Sequence, residues 1–426
     1  SIPHVDMRAG SGVSSITLGF CISTCNVAIC LAKPGKVKGG APPVPFVYRV
    51  TWIESENPDD ELYLRDVAPD GTVVGAIRPG GVYADQVPFV SFAVGSPLDV
   101  SPLDVQGMLH TAGKIPATWR ATYAFRICDN GLIAVDIYDD GGRMYSGALL
   151  PNPDGSLGSF SLFGDPDVPE GDPAGLDAIL LDASESGEFL IAVGDFTDGF
   201  GTGIRTSNPV DLHVWTPLLG SSFELASDVT PGEKTTEGWF SRSKISDYPA
   251  AIFPMADSVD PTVVQRAFFA YTDSLTPTPL PVSDTWEDVV DVGADGTVVA
   301  TIGGAQIRRN RVEPPSVARW RPDDREWEIL FNGQAGLVNG SGEIVAGESD
   351  SILVFQDTFK IGGFSVTGAI RVNDMIDPSQ DSGWDTSGRH RLLGLSNIAS
   401  GSPGGVILGQ ELSGSYRHFI LTPVAP

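Results

Sequence analysis

A short pattern of apolar and polar positions recurs along the chain. In each copy an apolar stretch is followed by a polar turn containing glycine and then by a β-branched stretch such as VVG or VVA. Glycine supplies the positive φ of a tight turn between twisted strands, and Val and Ile pack well on a pleated surface. Each copy therefore predicts a β-hairpin. The copies span residues 64–77, 125–137, 181–196, 226–240 (a degenerate copy), 289–302, 336–349 and 393–410.

The turn glycines repeat at a mean spacing of roughly 55 residues, somewhat above the range of kelch and WD40 blades. They are Gly71, Gly131, Gly187, Gly232, Gly296, Gly342 and Gly404.

A second strand signal, rich in aromatic residues, follows each hairpin. A hairpin, this strand and one further edge segment make a four-stranded blade, so we predict an all-β fold, a β-propeller of about seven blades. The insertions at 155–175 and 241–261 are then expected to be loops on the rims. The aromatic strands begin at Pro88, Met144, Leu212, Arg266, Ser316, Val366 and Tyr416.

The segment 46–55, FVYRVTWIES, is a predicted strand with no hairpin before it. In propellers the first strand commonly completes the last blade, which leaves fewer edges for pairing with other chains. We expect this segment to pair beside residues 416–422.

Residues 1–43 lie outside the repeats, so we predict an N-terminal extension (1–43) followed by a single propeller domain (44–426). The extension contains SGVSSITLGFCISTCNVAICLA, which alternates small polar and apolar residues as a strand or hairpin does. Such a segment can add to the sheet edge of a neighbouring subunit, which would make it a docking segment for self-association. The alternative is that it packs on its own propeller.

The balance of charge limits the partners. The chain has 27 Lys+Arg and 54 Asp+Glu, a net charge of −27. Nucleic acid is an unsuitable partner because neutralising phosphates needs a basic face. The apolar stretch 13–32 is interrupted by Ser, Thr, Gly and Asn, so we predict no transmembrane segment and a soluble extracellular or cell-surface protein.

Four cysteines are present, and three of them fall in CISTCNVAIC. Their spacing matches neither a zinc site nor a redox motif. One local disulfide in an oxidising compartment and two buried thiols are both compatible with the sequence. The cysteines are Cys21, Cys25, Cys30 and Cys128.

The repeats resemble the HAF-type extracellular repeat proteins of bacteria, whose copies combine a glycine turn, a VVG strand and an aromatic strand. The matching segments are APDGTVVG, GADGTVVA, GSGEIVAG, RAFFAY and YRHFILTPVAP, spread over residues 46–426. The resemblance implies a secreted propeller-like protein. It carries no residue-level functional motif over to this chain.

Calcium is the one cofactor for which the sequence offers candidate ligands. The loop GDPDVPEGDPAG is rich in carboxylates, and oxygen-rich loops of this kind can chelate calcium. Its three prolines and the lack of EF-hand spacing leave a solvated rim loop as the alternative. The candidate ligands are Asp165, Asp167, Glu170 and Asp172.

No catalytic motif is identified among the five histidines or the glycine-rich loops. We therefore expect a non-enzymatic extracellular structural or interaction protein, such as a subunit of a surface assembly or filament. The alternative is a secreted carbohydrate-active hydrolase or lyase, or a glycan-binding module, with carboxylates in the central funnel beside tryptophans that stack on sugars. The tryptophans considered are Trp239, Trp286, Trp320, Trp327 and Trp384.

Overall fold

The computed structural model describes residues 46–424 with gaps, of which the longer are 93–101, 164–175, 230–243, 257–263, 271–277 and 280–286. The chain divides into two units, Ser1–Pro42 and Pro43–Pro426. The first unit, with Cys21, Cys25 and Cys30, lies outside the described residues.

The second unit is an all-β propeller. Its described strands form six four-stranded sheets, one three-stranded sheet and two short ribbons, all antiparallel. Each of the seven larger sheets is called a blade below and is numbered in chain order, the innermost strand first.

The first three blades follow an opening strand. The opening strand is β1 (Val47–Ile53); blade 1 contains β2 (Glu61–Val67), β3 (Val73–Arg78) and β4 (Val87–Ser91); blade 2 contains β5 (Arg120–Ile127), β6 (Ile133–Tyr138), β7 (Met144–Pro151) and β8 (Leu157–Leu162). Blade 3 contains β9 (Asp177–Ala183) and β10 (Phe189–Gly194), then, after the ribbon β11 (Thr197–Gly199) and β12 (Gly203–Arg205), β13 (Val210–Thr216) and β14 (Ser221–Val229).

The remaining blades repeat this plan. Blade 4 contains β15 (Lys244–Ser246), β16 (Ala250–Ala256), β17 (Val264–Ala270) and β18 (Thr278–Pro279). Blade 5 contains β19 (Glu287–Val292) and β20 (Val298–Ile302), then, after the ribbon β21 (Gln306–Arg308) and β22 (Arg311–Val312), β23 (Ser316–Trp320) and β24 (Glu328–Asn332). Blade 6 contains β25 (Gln334–Val338), β26 (Ile344–Glu348), β27 (Ile352–Ile361) and β28 (Phe364–Arg371); blade 7 contains β29 (His390–Leu395), β30 (Ile407–Glu411), β31 (His418–Val424) and β1.

Short helices complete the described chain. A seven-residue helix, α1 (Val105–Thr111), packs beside β4, where Leu103 N donates to Val90 O over 2.8 Å. The described part of blade 1 has three strands, and Val105 and Leu109 of this helix are buried in the cluster between blades 1 and 2. Three-residue 3-10 helices occur at Pro79–Gly81, Pro217–Leu219 and Val372–Asp374.

The predicted glycine-centred hairpins are confirmed in five blades. Each turn glycine there has a positive φ, which an L side chain rarely adopts. The φ angles are 86° at Gly71, 81° at Gly131, 97° at Gly187, 82° at Gly296 and 71° at Gly342.

The predicted junction of the two chain ends is also confirmed. Strand β1 pairs antiparallel with β31 over seven residue pairs, from Val47 with Val424 to Ile53 with His418. On its other side, Tyr48 N donates to Met375 O (2.6 Å) and Asp377 N donates to Tyr48 O (2.9 Å). Strand β1 is therefore held on both edges.

Four placements made from the sequence are wrong. The degenerate copy at 226–240 was expected to begin a blade, but residues 226–229 belong to β14, the outer strand of blade 3. The expected loop at 241–261 contains β15 and β16, the first strands of blade 4. The expected loop at 155–175 contains β8, and the strand from Val366 is the fourth strand of blade 6, not the third.

The hydrophobic core lies between successive blades rather than at one centre. One cluster joins Val74 of blade 1 to Val135 of blade 2, and another joins Phe189 of blade 3 to Leu132 of blade 2. A further cluster joins blade 7 to blade 1 through Ile420. The apolar faces of each blade are buried against its two neighbours. The polar side chains of the inner strands therefore lie outside these apolar clusters, where the inner strands converge.

Candidate functional site

Charged side chains from the inner strands of five blades converge at the centre of the propeller. We call them the axial cluster: Asp66 (β2), Arg126 (β5), Asp182 (β9), Lys244 (β15) and Asp291 (β19). Four of the five lie five positions before a turn glycine, at Gly71, Gly131, Gly187 and Gly296, so they occupy the same place in their repeats.

A repeated backbone irregularity aims these side chains. The pairing register of the inner strand shifts directly before Asp66, Arg126 and Asp291, and directly before Asp182 on β9. A β-bulge adds one residue to a strand and turns the following side chain away from its regular direction. The bulge therefore takes a residue that would face a neighbouring blade and points it toward the centre.

Arg126 is the hub of the cluster. Its Nε donates to Asp182 Oδ1 over 2.7 Å, its Nη1 lies 3.6 Å from Asp66 Oδ1, and its Nη2 lies 3.8 Å from Asp291 Oδ1. One guanidinium from blade 2 thus faces carboxylates of blades 1, 3 and 5. Planar guanidinium groups suit such multiple contacts because their donors point in fixed, different directions.

The second oxygen of each axial aspartate binds the backbone of the next blade. Asp66 Oδ2 accepts from Ile127 N (3.1 Å), and Asp182 Oδ2 accepts from Ile245 N (3.1 Å). Asp291 Oδ2 accepts from Val338 N (3.0 Å). These carboxylates connect blades 1 to 2, 3 to 4 and 5 to 6.

Burial and neighbouring charges shift the pKa values of three members of the cluster, Asp66, Arg126 and Asp291. Burial raises the pKa of Asp66 and of Asp291, and the attraction of Arg126 only partly opposes this. Burial alone would lower the pKa of Arg126, but Asp182, Asp66 and Asp291 together hold it well above its usual value. Three carboxyl groups thus share two cations, Arg126 and Lys244.

A second group of polar residues lies beside the cluster, at the turns that end the inner strands. Asn397 Nδ2 donates to Asp129 Oδ2 over 2.7 Å, and Gly340 N donates to Asn397 Oδ1. Burial, followed by the charges of Asp66 and Asp129, raises the pKa of Glu185 well above its usual value. These contacts join the turns of blades 2, 6 and 7.

A small cavity is lined both by members of the axial cluster and by residues of these turns. Its lining includes Arg126, Asp291, Glu185 and Gly340, together with the apolar Leu337 and Leu395. Its volume is about 20 Å³, which is room for one or two water molecules. This cavity, lined by described residues, therefore has little space for a ligand.

The calcium ligands expected from the sequence, Asp165, Asp167, Glu170 and Asp172, lie outside the described residues. Within the part of the chain that the structure describes, no group of three or more His, Cys, Asp or Glu side chains is arranged to hold a metal ion. Cys128, the one cysteine in that part, is buried in the core between blades 2 and 3.

The described tryptophans that were considered as sugar platforms pack within the blades. Trp320 is buried, and its Nε1 donates to Asp324 O over 3.0 Å. Trp384 lies flat on His390 of blade 7, with 4.0 Å between ring centres and 7° between planes. None of the described residues that line the central cavity is a tryptophan, and Trp239 and Trp286 lie outside the described residues.

Sequence reasoning missed the axial cluster. Each member comes from a different repeat, so no local motif contains two of them. The available signal was the alignment of the repeats on their turn glycines, which places Asp66, Arg126, Asp182 and Asp291 in one column.

Comparisons with solved structures find similarity to propeller and WD40 domains, among others. Similar structures include the propeller domain of the Trilobed protease from Pyrococcus furiosus (12% identity, 85% of this chain and 95% of that chain, TM-score 0.45) and the WD40 domain of Toxoplasma gondii coronin (11%, 91% and 89%, 0.43). A streptogramin B lyase is also similar (12%, 89% and 98%, 0.42). At these identities the similarity concerns the fold alone. No protein-family model and no curated protein matches the sequence.

No helix among the described residues is long and apolar enough to cross a membrane.

Proposed function

We propose that this chain is an extracellular structural or interaction protein without catalytic activity, in which the propeller is a scaffold for assembly. The observation that supports this most is the use of the axial carboxylates. Asp66, Asp182 and Asp291 each bind a backbone N–H of the next blade and face Arg126. Carboxylates held in this way connect blades and are poorly placed to exchange protons with a substrate.

The size of the central cavity supports the same proposal. Pockets for small-molecule substrates commonly have volumes of about 300–1,000 Å³. The cavity beside Arg126 has about 20 Å³. A sugar ring does not fit there without movement of the surrounding turns, so binding is expected on the outer surfaces of the propeller instead.

The particle mass of the protein tests the proposed assembly. We expect light scattering to give the full chain a mass above the monomer value of 45.0 kDa. A variant that begins at residue 44 should keep the β content of the propeller and should be monomeric, because the proposed docking segment is missing. Equal association states for the two proteins would contradict self-association through the N-terminal segment.

Turnover of a polysaccharide would contradict the non-enzymatic part of the proposal. The variant to compare with the full chain is Glu185→Gln, because the carboxyl group of Glu185 lines the central cavity. If the full chain cleaves any of a panel of acidic and neutral polysaccharides and Glu185→Gln does not, the carbohydrate-active alternative is the correct one.

A further inference from the structure

The outer strand of blade 3 is the longest outer strand in the described chain. Strand β14 spans nine residues, and β13 is the one described strand that pairs with it. The outer strands of other blades are shorter or covered: β18 has two residues, and β1 is held by Met375 and Asp377. A long outer strand offers backbone groups to which another chain can add.

The 3-10 turn directly before β14 and the start of the strand carry a concentration of exposed apolar side chains. Leu218 is 52% exposed, Leu219 is 78% exposed and Phe223 is 43% exposed, which makes three of the six large exposed hydrophobic residues in the described chain. Glu224 is the one charged residue between positions 217 and 227. In a chain with a net charge of −27, an apolar and nearly uncharged edge indicates a contact surface.

The first four residues of β14, directly after the 3-10 turn that holds Leu218 and Leu219, are regularly paired. Ser221 to Glu224 pair in unbroken register with Thr216 to His213, and the register first shifts beyond Glu224. Bulges and charged residues are the usual protection of an outer strand against pairing. Residues 218–224, which we call the blade 3 edge, have little of either.

We propose that residues 15–23 of a second copy of this chain add as a β-strand to the blade 3 edge. Residues 15–23 read S-I-T-L-G-F-C-I-S, which places Ile16, Leu18, Phe20 and Ile22 on one face of an extended strand. An extended strand with one apolar face must bury that face against another surface. No charged residue occurs between positions 9 and 32, so the segment matches the blade 3 edge in polarity, and its nine residues equal the length of β14.

The inference rests on the proposed function and names the two surfaces of the assembly. The intervening residues 24–46 reach up to about 75 Å when extended, at roughly 3.3 Å per residue. They lead into β1 of blade 7, whereas the acceptor edge belongs to blade 3. Donor and acceptor are different surfaces, so the contact is head-to-tail and can continue from copy to copy as a filament.

One substitution on each side tests the contact. Leu219→Lys places a charge on the acceptor edge, and Leu18→Lys places one in the apolar face of the donor. We expect each variant to be a monomer of 45.0 kDa by light scattering while the wild type is larger. The matched controls are Ile329→Lys, on the outer strand of blade 5 where Ile329 is 56% exposed, and Ser11→Lys outside the donor segment; both should keep the wild-type mass.

Mixing the two variants shows which segment binds the blade 3 edge: the donor strand of a second copy, a second blade 3 edge, or the N-terminal segment of the same chain. A Leu18→Lys copy keeps its acceptor edge and a Leu219→Lys copy keeps its donor strand, so an equal mixture should form dimers of about 90 kDa that grow no further, as a head-to-tail contact requires. If blade 3 edges instead pair with each other, the Leu18→Lys variant will keep the wild-type mass. If each chain binds its own edge, the wild type will be monomeric. Either result overturns the inference.

Its failure is separable from failure of the proposed function. If removal of residues 1–43 lowers the mass but Leu219→Lys does not, the N-terminal segment mediates assembly at another surface, and only this inference is wrong. If the wild type is monomeric, both are wrong. Circular dichroism and melting of every variant verify that a lower mass does not arise from unfolding.

Discussion

Arg126 shows how one residue can connect blades that are not neighbours in sequence. Its guanidinium lies within 4 Å of carboxylates from three other blades, and about a fifth of its side chain is exposed. Removing one partner from a buried ionic network leaves the others without compensation, which commonly costs about 3–5 kcal/mol. Arg126 is therefore expected to matter more for stability than any surface arginine.

We predict that Arg126→Met lowers the free energy of unfolding by about 3–5 kcal/mol, because Asp66, Asp182 and Asp291 lose their shared cation. Urea unfolding at pH 7.5 measures the change. The matched control is Arg49→Met, which removes an exposed arginine of β1 and should change stability by less than about 0.5 kcal/mol. Equal effects of the two substitutions would show that the axial contacts contribute little.

His418 is predicted to make the protein sensitive to acid. Burial in β31 lowers the pKa of His418 to about 4, whereas in the unfolded chain it is about 6.5. Between these values the unfolded state binds a proton that the folded state does not, so the free energy of unfolding falls as the pH falls from 6.5 to 4. The loss amounts to about 3 kcal/mol at 1.36 kcal/mol per pKa unit. Urea unfolding of wild type and His418→Gln at pH 7.5 and 5 should show a smaller pH dependence in the variant.

Asp136 is predicted to act in the opposite direction. Burial raises the pKa of Asp136 to about 7, so the folded state keeps a proton that the unfolded state loses near pH 4. Its contribution to the free energy of unfolding falls as the pH rises from 4 to 7. Because Asp136 keeps some exposure to solvent, we expect Asp136→Asn to stabilise the protein by about 2 kcal/mol at pH 8 and to have little effect at pH 4. Stabilisation that is the same at both pH values would contradict the assignment.

The residue-level site could be predicted less well than the fold for a physical reason. Asp66 and Asp182 are separated by more than a hundred residues, and their contact with Arg126 depends on a bulge that composition does not reveal. The hairpins, by contrast, can be predicted from short segments, because glycine readily adopts the positive φ that a tight turn needs. Sequence reasoning therefore found the turns and missed what the turns bring together.

At the scale of single elements, small residues mark the places where strands of one blade approach most closely. A Cβ atom at Gly75 of β3 would lie 2.2 Å from the carbonyl oxygen of Tyr63 and 2.7 Å from the Cα of Leu64. Both atoms belong to the backbone of β2 and cannot move aside without displacing that strand. Gly75, the glycine of the VVG sequence in this repeat, is therefore required by the close packing of β3 against β2.

We predict that Gly75→Ala lowers the free energy of unfolding by about 2–3 kcal/mol, because the added methyl group overpacks the inner pair of strands. Gly80→Ala is the comparison, since a Cβ there meets nothing within 4 Å but the residue has a φ of 58°. Backbone strain alone should cost about 1–2 kcal/mol at that position. Differential scanning calorimetry of both variants would contradict the packing argument if Gly80→Ala were the more damaging.

Blade 4 shows why element prediction failed in one place. Its inner strand, Lys244–Ser246, has three residues, and the connection to β16 runs through Asp247, Tyr248 and Pro249 without a glycine. The nearest glycine-containing turn pattern lies at Gly232, so the sequence pattern predicts the hairpin of this blade at 226–240 instead. Strand β15 nevertheless takes the inner position of blade 4, because the N–H of Ile245 donates to Asp182 of blade 3. A contact from the preceding blade fixes this strand where its own turn sequence does not.

At the scale of the whole molecule, the pairing of β1 with β31 joins the two ends of the propeller. Strand β1 and the residue before it bury Phe46, Tyr48, Val50 and Ile53 against blades 6, 7 and 1. Burying four large apolar side chains contributes about 6–12 kcal/mol, at about 1.5–3 kcal/mol each. That is comparable to the entire stability of a typical domain, about 5–15 kcal/mol.

We therefore predict that a variant beginning at residue 54 does not fold cooperatively, whereas one beginning at residue 44 keeps a single cooperative melting transition. Without β1 the outer edge of β31 is exposed, and exposed edges pair with other chains, so the shorter variant should also aggregate. A synthetic peptide of residues 44–55 added in excess should restore a cooperative transition, and a peptide of the same composition in scrambled order should not. Cooperative melting of the shorter variant alone, at an unchanged temperature, would mean that the contacts between neighbouring blades hold the propeller together without the strand that joins its ends.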